Sequence, residues 1–103
     1  MRKFYGAIVG DIVGSVYEFN NIKTKDFPLF SKKSFATDDS IMTLAIASAL
    51  MDAAEDGSFD VKTDAEWIAS FRDSMRRIGI PYPYCGYGGR FLDWMYSEDP
   101  QPY

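Results

Sequence analysis

Apolar residues recur with helical spacing in four runs, separated by polar or by proline- and glycine-rich stretches. Residues 4–19 (FYGAIVGDIVGSVYEF) put Ile8, Val9, Ile12, Val13, Val16 and Phe19 on one arc of a helix. The opposite arc holds Ala7, Gly10, Asp11, Gly14, Ser15 and Glu18. A glycine inside a helix costs roughly 0.8–1 kcal/mol relative to alanine, so Gly6, Gly10 and Gly14, spaced four apart, need a reason. Close approach of a second helix supplies part of one. It does not explain why Asp11, Ser15 and Glu18 share that face, with Asp11 and Glu18 stacked nearly in line. A helix wall without bulk, studded with acids, reads as the side of a ligand cavity. The glycine spacing argues against a strand at Ala7-Ile8-Val9.

Asn20-Asn21 should end this first helix, and residues 20–36, with Pro28 and scattered lysines, read as a surface excursion. It follows Glu18 directly, which suits a loop that closes over a site; an ordinary solvated connection is the plainer reading. Residues 38–55 are apolar around almost the whole wheel, which predicts a helix in the middle of a bundle. Asp56-Gly57-Ser58 ends it. Thr63-Asp64-Ala65-Glu66 is a capping box for a third helix, with Trp67, Ile68, Phe71 and Met75 as its buried stripe and Arg72, Arg76 and Arg77 as its wet face. Gly79 and Pro81 stop it. Residues 80–90 (IPYPYCGYGGR) form an aromatic loop whose tyrosines pack on the bundle, or stack on a base. Phe91, Leu92, Trp94 and Met95 predict a short fourth helix from about 88 to 97. The pattern predicts an all-α fold, a small bundle of about four helices, in one domain over residues 1–103.

Composition narrows the chemistry more than the architecture. At 47% hydrophobic and 17% aromatic, the 103 residues suit a globular chain, and a net charge of −4 argues against a DNA-binding surface. No apolar run approaches the length of a membrane span, and Met1–Gly6 makes a poor leader because Asp11 and Glu18 soon interrupt the apolar stretch. A cytoplasmic location, with no membrane partner, is the expectation. Histidine is absent and Cys85 is the single cysteine, so neither an imidazole base nor a thiolate zinc site is available. Any chemistry here rests on carboxylates, hydroxyls or a metal held by oxygen.

One stretch gathers such groups. Phe35-Ala36-Thr37-Asp38-Asp39-Ser40-Ile41 marks the point where a polar run becomes the apolar second helix. Thr37 has the chemistry of an N-cap, and Asp38 and Asp39 fall in the first turn. Acids at a helix N-terminus are favoured by the macrodipole and need no function. Three oxygen side chains over one turn also suit a hard cation such as Mg²⁺.

Gly6-Ala7-Ile8-Val9-Gly10-Asp11-Ile12-Val13-Gly14-Ser15-Val16-Tyr17-Glu18-Phe19, followed by Phe35-Ala36-Thr37-Asp38-Asp39-Ser40-Ile41-Met42-Thr43, resembles the N-terminal part of the ADP-ribosylglycohydrolase family. Tyr87-Gly88-Gly89-Arg90-Phe91-Leu92-Asp93-Trp94-Met95 looks familial too. The resemblance implies an all-helical fold and a binuclear Mg²⁺ site that hydrolyses the bond between ADP-ribose and its acceptor. It implies Thr37, Asp38 and Asp39 as metal ligands, Glu18 as the catalytic glutamate, and Asp11, Gly14 and Ser15 as substrate-binding or site support. The family's second ligand cluster, of Gly-Asp-x-Asp-Thr type, and its Gly-Asn-Gly-Ser-type loop do not occur in these residues. The expectation is therefore a truncated domain with half a metal cage and weak Mg²⁺ affinity, active if a second half is supplied. The alternative is a non-catalytic module that binds ADP-ribose, an ADP-ribosylated protein or another protein. In either case a homo-oligomer or a protein partner is expected to cover exposed apolar surface.

Overall fold

The computed structural model describes residues 4–102; Met1–Lys3, the front of the stretch read above as a poor leader, and Tyr103 lie outside the described residues. The described chain is all-helical: α1 (Tyr5–Gly14), a 3₁₀ turn (Ser15–Tyr17), α2 (Asp38–Asp56), α3 (Asp64–Gly79) and α4 (Gly89–Tyr96). No helix among these residues is long and apolar enough to cross a membrane.

The helix ends follow local chemistry. Thr37 caps α2, its side chain accepting the Asp39 N–H at 3.3 Å, and Gly57 closes the helix in the left-handed region at φ 79°. Thr63 and Glu66 form the reciprocal capping box of α3, with the Glu66 carboxylate accepting the Thr63 N–H at 2.9 Å and the Thr63 hydroxyl accepting the Glu66 N–H at 3.3 Å.

The helices form an open row in which each packs on its neighbours in the chain: α1 on α2, α2 on α3, α3 on α4. Its thinnest dimension is 21 Å, close to two helix diameters of about 10–12 Å. The Cα radius of gyration, 15.9 Å, exceeds the value of about 13 Å expected for a compact chain of this size. Within the row α2 is central. Its Ala45, Ala49 and Ala53, one turn apart, are buried, and these small side chains let α3 come close; Ala47 is buried off that line. There the Ser74 hydroxyl of α3 donates to the Ala45 carbonyl at 2.5 Å, which satisfies a buried hydroxyl. At the α3–α4 contact Met95 is fully buried.

Several expectations are corrected. The first α-helix ends at Gly14 and tightens into the 3₁₀ turn, because Ser15 turns its hydroxyl back to the Ile12 carbonyl at 2.8 Å and accepts the Phe35 N–H at 3.0 Å. Residues 18–19 therefore lie beyond it, and Phe19 is 93% exposed rather than part of a buried arc. No residue of α1 is fully buried, and a Cβ at Gly6, Gly10 or Gly14 would meet nothing within 4 Å among the described residues, so the glycines do not serve a close helix crossing there. On α3, Ile68 is exposed. Trp67 stacks on Phe71 (centroids 5.3 Å apart) and meets the edge of Phe59. Arg76 is not simply on a wet face: its Nε donates to the Met95 carbonyl at 3.0 Å and its Nη2 to the Ser97 carbonyl at 2.7 Å, tying down the end of α4.

Candidate functional site

The α1 face stripped of bulk stands opposite the N-terminal half of α2 across an open cavity of about 1050 Å³. Asp11, Gly14, Ser15 and Glu18 line one side and Asp39 lines the other. Met42 and Ile46 of α2 give the floor an apolar character. Gly10 and Gly14 keep the near wall open, since a side chain at either would project into free space. Thr37 and Asp38 do not line this cavity; Thr37 is buried beneath the helix tip and Asp38 faces residues 85–87.

Asp11 is the fastening between the two helices. Its Oδ2 accepts the Thr37 N–H at 2.7 Å, the Ser40 N–H at 3.2 Å and the Ser40 hydroxyl at 2.7 Å, and its Oδ1 accepts the Thr37 hydroxyl. Thr37 and Ser40 are each 2% exposed, so these donors could not turn to water. The carboxylate thus occupies the position of an anion at a helix N-terminus. Burial pushes Asp11 upward, but the four hydrogen bonds outweigh it and hold its pKa below the ordinary carboxylate value.

Asp38 shows the opposite balance. Partial burial raises its pKa, the neighbouring Asp39 charge raises it further, and the nearby Thr37 hydroxyl and the backbone N–H of Asp38 itself offset this only in part. Its own N–H donates to the Cys85 carbonyl at 2.7 Å. Glu18 stands exposed at the cavity wall beyond the 3₁₀ turn. Ser15 is only 7% exposed and is engaged on both sides by the Ile12 carbonyl and the Phe35 N–H, so it borders the cavity and also tethers the loop before α2.

The pattern along the chain does not single out Ser40, Thr43 or the Cys85 carbonyl. Ser40 lies one turn after Thr37, so both present donors to the same side of the tip; that spacing is the signal available in the sequence. Thr43 bonds back to the Asp39 carbonyl at 2.7 Å and lines the cavity. The Cys85 contact joins segments more than forty positions apart and leaves no local mark.

The chemistry of the donors bears on a metal. Thr37 gives its proton to Asp11 and accepts one N–H from Asp39, which leaves one hydroxyl lone pair uncommitted. Asp38 and Asp39 add hard oxygens whose mutual repulsion a cation would relieve. Among the described residues, no three aspartate, glutamate, histidine or cysteine side chains come together as a metal-holding group. By residue type this donor set suits part of a Mg²⁺ shell, with Asp38 and Asp39 on different sides of the helix tip and water or another group needed to complete it.

A helical row with paired acids at the tip of its central helix, one of which, Asp39, faces a small-residue wall, is the architecture into which the comparisons fall. The chain matches the ADP-ribosylglycohydrolase family model over residues 3–98, nearly its whole length, and belongs to that family. Comparison with curated proteins and with solved structures finds no match.

Proposed function

We propose that this chain is an ADP-ribosylglycohydrolase unit that receives ADP-ribose in the cavity between α1 and α2, for Mg²⁺-dependent hydrolysis of an ADP-ribosyl bond. The observation that carries this reading is the common cavity. Asp11 on α1, Glu18 just beyond the 3₁₀ turn and Asp39 on α2 border one space, and its volume is just above the roughly 300–1,000 Å³ usual for small-molecule sites. In this reading Thr37, Asp38 and Asp39 hold the cation, and residues or waters from outside this set complete its shell. A Mg²⁺ ion there would supply Lewis acidity toward ribose oxygens and water. Glu18 accepts the proton of the attacking water, for which its exposed place on the wall is suited. Asp11 keeps the helix tip in register, its carboxylate engaged by four hydrogen bonds from Thr37 and Ser40. Gly14 and Ser15 shape the wall against which the ribose lies.

A second reading is favoured by the two-carboxylate donor set and by the exposure of Phe19, Leu29 and Phe30 at 93%, 63% and 61%. Here the chain binds ADP-ribose or an ADP-ribosylated protein without turnover, and a second copy or another protein covers those apolar side chains. The test is release of ADP-ribose from an ADP-ribosylated protein by the purified chain in millimolar Mg²⁺, run beside a binding titration with ADP-ribose. Release that is lost in Asp39→Asn supports hydrolysis. Saturable binding without release supports the module, and neither binding nor release overturns both.

A further inference from the structure

The loop between α3 and α4 does more than connect them. Tyr87 is its anchor: the residue is nine-tenths buried, its ring stacks on Phe91 with centroids 5.4 Å apart, and its hydroxyl would lie 3.4 Å from a Cβ placed on Gly79 at the end of α3. Among the described residues that hydroxyl has no hydrogen-bond partner, so packing rather than polar bonding holds the anchor. Immediately before it, Gly86 has φ +100°, a conformation that L side chains rarely adopt. Gly86 also passes close to the helix tip, where a Cβ would sit 3.5 Å from Oδ1 of Asp38. One residue earlier, the Cys85 carbonyl accepts the Asp38 N–H at 2.7 Å. This N–H belongs to the first turn of α2 and has no partner within its own helix.

We propose that Cys85-Gly86-Tyr87 is a positioning clamp for Asp38, with Gly86 as its critical residue. The buried ring fixes the strand of the loop, the glycine turns it, and the Cys85 carbonyl holds the Asp38 backbone while the Gly86 backbone walls off one side of its carboxylate. The carboxylate is thereby confined before any ligand arrives, as groups that support a metal ligand commonly do. The proposal rests on the reading above that Asp38 and Asp39 take a divalent cation.

The experiment compares wild type, Gly86→Ala and Gly89→Ala; the last is a control at the start of α4, where an added Cβ meets nothing within 4 Å. Two quantities are read: hydrogen exchange of the Asp38 amide without metal, and Mg²⁺ affinity from amide shifts of Asp38 and Asp39 during titration with Mg²⁺ alone. Gly86→Ala is expected to speed Asp38 exchange about tenfold while amides in the middle of α2 keep their protection. It is also expected to weaken Mg²⁺ binding by about tenfold or more, with Gly89→Ala unchanged in both. Wild-type exchange and affinity in a folded Gly86→Ala chain overturn the clamp. If that variant does not fold, Gly86→Asn, which is still disfavoured at φ +100° but less so than alanine, carries the same test with the same two outcomes. Asp38→Asn separates the two levels. Mg²⁺ affinity unchanged by Asp38→Asn removes the cation reading, whereas a loss there without one in Gly86→Ala removes the clamp alone.

Discussion

The carboxylate of Asp11 accepts the backbone N–H of Thr37 at 2.7 Å, across 26 positions of sequence, and so pins α1 to the tip of α2. The same carboxylate takes both donors of Ser40, with the N–H at 3.2 Å and the hydroxyl at 2.7 Å. Removing it strands buried donors on two residues. Asp11→Ala is expected to lower stability by about 3 kcal/mol, and Asp11→Asn by roughly half as much because one good acceptor remains. Urea unfolding followed by helical circular dichroism measures both, and an Asp11→Ala chain as stable as wild type would contradict the fastening.

The two best-placed aspartates respond to pH with opposite signs. The folded pKa of Asp11 lies below its unfolded value, so its contribution is present above the unfolded pKa and is lost as pH falls through the folded one. That of Asp38 lies above its unfolded value, so its contribution is present at low pH and is lost as pH rises through the folded pKa. At neutral pH without divalent cations, Asp38→Asn is therefore expected to raise the unfolding temperature, while Asp11→Asn lowers it and flattens the acid side of the stability curve. Thermal melts of the three proteins from pH 3 to pH 7 check this; a lower melting temperature for Asp38→Asn at neutral pH contradicts it.

The guanidinium of Arg76 reaches two carbonyls at the end of α4 at 3.0 and 2.7 Å, a fork that an ammonium cannot reproduce. Arg76→Ala is expected to cost about 1.5–3 kcal/mol, with Arg76→Lys recovering only part. The loss should appear first as faster amide exchange in α4. Unchanged protection there would mean that the fork holds nothing.

On the proposed reaction, Glu18→Gln keeps the size of the side chain and removes its basicity. It is expected to slow ADP-ribose release about a hundredfold, while the affinity for ADP-ribose changes little. Equal losses in rate and affinity would reassign Glu18 to binding.

Much of this arrangement is legible along the chain because it is set by local rules. The Thr37 cap, the Thr63–Glu66 box and the Gly57 stop each depend on residues within one turn, and the structure has all three. The acidic, bulk-free face of the first helix is likewise a matter of period, and Asp11, Gly14, Ser15 and Glu18 border one cavity. What period cannot reveal is how far a pattern extends or what stands opposite it. Val16 and Phe19 fit the apolar arc, yet Ser15 bends the chain into a 3₁₀ turn by bonding Ile12 and Phe35, and Phe19 ends in solvent. Arg76 reads as a solvated cation because the carbonyls that engage it belong to α4, nineteen or more positions on. Adjacent acids on a helix also point about 100° apart, and this separates Asp39, on the cavity, from Asp38, on the loop at 85–87.

Binding of ADP-ribose between α1 and α2 is the central expectation. In a titration of the labelled chain with ADP-ribose in millimolar Mg²⁺, followed by amide shifts, saturable changes are expected at Gly10, Gly14, Glu18 and Asp39. They should be absent from the outer turns of α3 and lost in Asp39→Asn. Shifts that do not saturate, or that gather away from the space between α1 and α2, would contradict it.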